Sequence, residues 1–186
     1  MPFTRDKTPI YRLRSQDEEF QGRINLWVRG FKLQSIVSIN DVVNAIERLP
    51  SRHLQGLKEI IYDPKRNTQA SSYSAWQALA RSKGGFMQND RLVVMYDFDS
   101  NDMFYQILFH EIGHYVFYLI LDSTLKKQWV TQIYPNSQYI TEYASTNASE
   151  DFAETYAAFV LRPSELNRIP VKYSYMLNQV FKGHHP

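Results

Sequence analysis

The chain has 186 residues, enough for one domain with a sizeable core, and its composition is that of a globular protein, 44% hydrophobic and 22% charged. A net charge of +2 supplies no polybasic surface, so neither nucleic acid nor a membrane is an expected partner. Cysteine is absent, which excludes disulfides and thiolate-held metal and leaves histidine and carboxylate as the side chains for any zinc site.

In chain order, residues 1–22 are polar and read as an N-terminal arm, with a single domain over 23–186. The N-terminus lacks the apolar run of a signal peptide, so a cytoplasmic location is expected, with a domain of a secreted effector as the alternative. Arg23 to Leu33 alternates at Ile24, Leu26 and Val28 and predicts a strand. Asn40 or Asp41 can cap a helix carrying Val42, Val43, Ala45, Ile46 and Leu49, which Pro50 stops. Leu57 to Tyr62 reads as a second strand, ended by Asp63-Pro64. A long polar connection runs from Pro64 to Asp90, with a short helix at Ser74 to Arg81, and its length suggests a lid or cleft wall. Arg91 to Phe98 is a third strand. Its position just before the next helix predicts that it lines a cleft and pairs with an extended substrate by strand addition. Asp99 to Asp102 offers N-caps for a long helix over 103–121, and helices follow at 123–133, 148–161 and 173–182. Strands first and helices after predict an α+β fold: a small mixed sheet, then the helix of the site, then a helical C-terminal half.

The helix over 103–121 carries His110-Glu111-Ile112-Gly113-His114. Two histidines four residues apart project from one helix face, so both imidazoles can reach one tetrahedral ion. Glu111 lies about 100° further round. It can hydrogen-bond water at the metal without ligating, as a general base must. Its neighbours Tyr105, Ile107, Leu108, Phe109, Ile112, Val116 and Phe117 are apolar, so the helix is buried, and ionisable groups there need a compensating partner such as zinc.

A catalytic zinc needs a third protein ligand and one open position. Ile120 and Phe117 stand where the longer three-histidine motif has His and Gly, and no His occurs between 115 and 183. His184 and His185 belong to a Gly-His-His-Pro tail. A carboxylate downstream is therefore expected, and Asn147 to Pro163 is the best segment. Glu150 and Glu154 stand one turn apart in line with Ala153, Ala157 and Leu161, while Asp151, Thr155 and Arg162 mark the opposite side. The competing reading is a capping box of Asn147 and Glu150, with Glu154 exposed.

His110-Glu-Ile-Gly-His114 followed 36 residues later by Glu150, with an acid at Glu154, resembles the gluzincin zinc peptidases, most closely the anthrax lethal factor catalytic domain and the Pro-Pro endopeptidases. The resemblance covers roughly residues 90–163. It implies a zincin-like fold, one Zn2+ per chain on His110, His114 and Glu150, and Glu154 orienting a ligand histidine from behind. It also implies that Tyr143, seven residues before Glu150, donates to the oxyanion. The expected function is a zinc-dependent endopeptidase acting on a protein or peptide, with Glu111 as general base. Glu150 to Pro163 also resembles the cytoplasmic regulatory peptidases that cleave phage or stress-response repressors. A non-catalytic binding module stapled by zinc is the third alternative.

Overall fold

The computed structural model describes residues 10–14, 23–65 and 83–186. Five strands form one mixed sheet in the order β1-β2-β3-β5-β4. β1 (Ile10–Arg14) runs antiparallel to β2 (Arg23–Arg29), β2 parallel to β3 (Glu59–Tyr62), and β3 parallel to β5 (Leu92–Met95). β4 (Gly84–Met87) closes one edge antiparallel to β5, with Gly84 opposite Met95 and Met87 opposite Leu92. β1 lies within the segment read as an arm and β4 within the connection read as a lid. The short helix expected at Ser74 to Arg81 lies outside the described residues.

The expectation that the strand after residue 91 pairs with substrate is corrected by this order. β5 is flanked on both sides, by β3 and β4, and has no free edge. Its sequence already carries the reason, because Leu92-Val93-Val94-Met95 does not alternate. Val93 and Met95 enter the main core, while Leu92 and Val94 pack with Tyr96, Ile61 and Met87 on the other face. A strand covered on both faces reads as a continuous apolar run, which marks the middle of a sheet. Among the described residues, β4 is the strand at the edge beside the histidine helix.

α1 (Ile39–Glu47) makes the crossover between the parallel strands β2 and β3. Ser38 is its N-cap: its hydroxyl accepts from the Asp41 N–H at 3.2 Å, and Asp41 accepts from the Ser38 N–H at 2.7 Å. Asp41 thus acts from the third position of a capping box. α2 (Asn101–Tyr115) starts at Ser100, whose hydroxyl accepts from Met103 N–H, and widens into a π turn over Val116–Ile120. Phe104, Leu108, Phe109 and Ile112 bury it between the sheet and the C-terminal helices. Among the described residues no helix is long and apolar enough to cross a membrane.

α3 (Ser123–Gln128), capped by Asp122, continues as a π turn to Ile133. α4 (Ala148–Leu161) follows a 3-10 turn over Tyr143–Thr146 and is capped by Asn147, which accepts from the N–H groups of Ser149 and Glu150. α5 (Pro163–Leu166) and α6 (Pro170–Tyr175), the latter extended by a π turn to Val180, complete the helical half. The protein is therefore α+β, with a mixed sheet on one side of α2 and α4 on the other.

Candidate metal centre

One turn of helix separates His110 from His114 and puts both on one face of α2. Their rings meet edge to face, 4.8 Å between centroids, with the two Nε2 atoms 3.1 Å apart. What lies opposite them depends on Gly113. A Cβ there would stand 2.9 Å from Ala153 Cα and 3.1 Å from Tyr156 Cβ, so only glycine lets α4 come this close. At that approach the first turn of α4 delivers Glu150, whose Oε2 lies 3.1 Å from His114 Nε2 and 3.2 Å from His110 Nε2.

These three atoms form a nearly equilateral triangle with sides of 3.1, 3.1 and 3.2 Å. An ion bound at about 2.0–2.2 Å in tetrahedral geometry needs donors roughly 3.3–3.6 Å apart. The group therefore fits one face of a tetrahedron to within a few tenths of an ångström and could hold a metal ion. Its two-nitrogen, one-carboxylate set suits zinc. The capping-box reading of Glu150 fails on direction, since its carboxylate turns to the imidazoles and Asn147 alone caps the helix.

Glu154, one turn on, accepts from His110 Nδ1 at 2.7 Å. Its other oxygen accepts from the Thr141 hydroxyl at 2.8 Å, and Thr141 in turn accepts from the Ala144 N–H at 3.1 Å. A carboxylate so engaged fixes the His110 tautomer with Nδ1 protonated and frees Nε2 for an ion. Burial works against charge on His110, but Glu150 and Glu154 hold its pKa up at about 10. Burial likewise opposes ionisation of Glu150, yet the two imidazoles bring it down to about 2. Without an ion, the site thus supplies its own positive charge as a proton on His110. His114 Nδ1 is buried with no hydrogen-bond partner.

Glu111 is buried beside the triangle and takes no part in it. Burial raises its carboxyl pKa, against the lowering pull of the two imidazoles and a hydrogen bond from the Phe86 backbone on β4. Gly84 permits the contact of β4 with α2, because a Cβ there would press to 2.5 Å from Ile107 and 3.1 Å from Glu111. Tyr143 stands at the rim, 56% exposed, with its ring 6.0 Å from that of His110. Partial burial and the nearby Glu150, Glu111 and Glu154 push its hydroxyl up to about 12, so it stays protonated at neutral pH, and it hydrogen-bonds Glu150. All the residues singled out in the sequence therefore meet here. Gly113, Gly84, Phe86, Thr141 and Tyr118 (stacked on His114 at 6.2 Å and 25°) also meet here, and only Gly113 carried a local signal, as a helix-interior glycine.

Two side chains expected to face solvent are buried. Asp151 and Thr155 lie fully inside, with Asp151 ion-paired to Lys172 of α6, itself buried. The Lys172 ammonium compensates the buried Asp151 carboxylate, and it also lies 5.8 Å from the Trp129 ring centroid and 5.2 Å from that of Tyr139. His53 accepts from the Tyr156 hydroxyl (2.8 Å) and donates to the Val180 carbonyl (2.9 Å), and burial lowers its pKa to about 3, so it serves as a neutral core group. In the C-terminal tail, His184 bonds the Arg48 carbonyl at 2.7 Å.

No protein-family model and no curated protein matches the chain. Among solved structures, the chain is loosely similar to a candidate zinc-binding metallo-peptidase from Bacteroides caccae, at 12% identity and a TM-score of 0.42 over 87% of this chain and 81% of that one. A likeness of that size carries no argument about the chemistry of this chain.

Proposed function

We propose that the chain is a zinc-dependent endopeptidase, with His110, His114 and Glu150 as the metal ligands. The observation that carries this reading is the relation of Glu111 to the triangle: a buried carboxylate adjacent to three ligand-type atoms without being one of them. Zinc held there would polarise a peptide carbonyl and acidify water. Glu111 takes the proton from the attacking water and returns it to the leaving amine, and burial, which raises its carboxyl pKa, makes it a better proton acceptor. Tyr143, protonated at neutral pH, donates its hydroxyl to the oxygen that gains charge. Glu154, braced by Thr141, keeps the His110 ring in register. The lethal-factor-like assignment of Tyr143 and Glu154 is supported by the rim position of the first and the Nδ1 contact of the second.

A zinc-stapled binding module would close its ion with four protein ligands. Among the described residues the group has three. The deciding experiment pairs elemental analysis of untagged protein with cleavage of a peptide library read by mass spectrometry. Wild type should carry about one zinc per chain and cleave, while Glu111→Gln should keep the zinc and lose cleavage. A metal-free wild type, or a Gln variant with near-normal turnover, would overturn the reading.

A further inference from the structure

We propose that Tyr118 and Phe86 form a subsite that takes an aromatic side chain of the substrate next to the scissile bond. This rests on the peptidase reading of the site. Tyr118 lies four residues after His114, on the face that carries both histidines, and remains 40% exposed while Val116 and Phe117 beside it are buried. Its ring is nearly parallel to His114 on one side (6.2 Å, 25°) and to Phe86 on the other (6.4 Å, 21°). Phe86 in turn packs edge-on against Tyr115 at 5.5 Å, which fixes the outer ring of the row.

Rings in contact lie about 3.5–4 Å apart face to face. Centroids 6.2 and 6.4 Å apart are too far for face-to-face contact, so no ring of the row fully covers the next. The result is a stepped aromatic wall from His114 to the edge strand β4. Phe86 belongs to the site itself, since its backbone hydrogen-bonds Glu111. A peptide whose reacting carbonyl lies between Glu111 and the three ligands would carry a neighbouring side chain against this wall. Glu111 puts a buried carboxylate beside Phe86, so an acidic side chain is disfavoured there. An aromatic one gains both burial and ring packing.

The test uses the full chain loaded with one equivalent of zinc and measures hydroxamate binding by calorimetry, without turnover. Acetohydroxamate reports on the metal alone. Two dipeptide-length series carry Phe or Gly, on the acyl side of the hydroxamate in one and on the amine side in the other. In at least one series Phe should bind about tenfold or more tighter than Gly. Tyr118→Ala should reduce that ratio to within about threefold, and Tyr118→Phe, which keeps the ring, should restore it. Acetohydroxamate is measured on all three proteins, and because each Phe-to-Gly ratio is taken within one protein, any change that Tyr118→Ala makes at the metal through its contact with His114 cancels. Acetohydroxamate bound with no Phe preference, or with a preference that survives Tyr118→Ala, overturns the subsite and leaves the peptidase reading standing. Failure of wild type to bind acetohydroxamate overturns the peptidase reading and the subsite with it.

Discussion

Glu154 grips His110 by Nδ1 at 2.7 Å, from the side of the ring opposite the Nε2 that faces His114 and Glu150. The two carboxylates of one α4 turn thus act on the two nitrogens of one imidazole, and their roles separate on that geometry. Glu150→Ala removes a donor from the triangle, whereas Glu154→Ala removes only the group that orients a donor, a loss of about 10–100-fold in affinity elsewhere. Competition titration with a chromophoric chelator should find the larger loss for Glu150→Ala. The reverse order would exchange the two assignments.

Metal uptake should release a proton. In the ion-free chain His110 titrates near 10, so at pH 7.5 it is protonated and must give up that proton to bind zinc, while Glu150, near 2, has none to lose. Apparent affinity should climb by up to about tenfold per pH unit between pH 6 and 9 from this group. Calorimetry in two buffers of different ionisation enthalpy counts the protons, and a count of zero at pH 7.5 would contradict the pairing. For the ion-free fold the sign is opposite in direction. The raised His110 pKa stabilises below its ordinary value of 6.5, and that contribution fades as pH rises toward 10. Thermal stability without metal should therefore fall on going from pH 6.5 to 9, and zinc should abolish much of that slope.

Gly113→Ala tests whether helix approach sets the site. The added methyl meets backbone at 2.9 Å, so α4 must move out. Overpacking of this kind costs about 1–3 kcal/mol. The outward shift carries Glu150 away from the histidines, and the variant should lose zinc affinity beyond its loss of melting temperature. If chelator competition gives wild-type affinity in a destabilised variant, the glycine serves packing only.

Tyr143→Phe keeps the ring and removes the hydroxyl. An oxyanion donor acts only once the carbonyl carbon has become tetrahedral, so kcat and kcat/KM should fall together, by roughly 10²–10³, at unchanged zinc content. Cleavage within about threefold of wild type would assign the donor to another group.

Much of this protein is written in short-range pattern. Helical pitch alone puts His110 with His114 and Glu150 with Glu154, because residues four apart share a face whatever surrounds them. Caps are similarly local, which is why α2 and α4 begin within a residue or two of where Ser100 and Asn147 allow. The run Leu92 to Met95 announced a strand, and its lack of alternation already implied cover on both faces. Tertiary structure decided the rest. Which strand holds the edge depends on β4, a four-residue strand with two glycines inside a polar stretch, which folds back on β5 across residues 88–91, its Gly84 explained only by the approach of α2 and its Gly85 lying against Tyr96. Asp151 and Thr155 look like a solvent face until Lys172, from a helix further along the chain, supplies the charge that lets an aspartate be buried. Thr141 has no local signal, for its role exists only once the loop before α4 folds back on Glu154. The same holds for the pairing of two helices at Gly113: spacing fixes what each helix offers, and only the packing of one against the other brings three donor atoms within reach of a single ion.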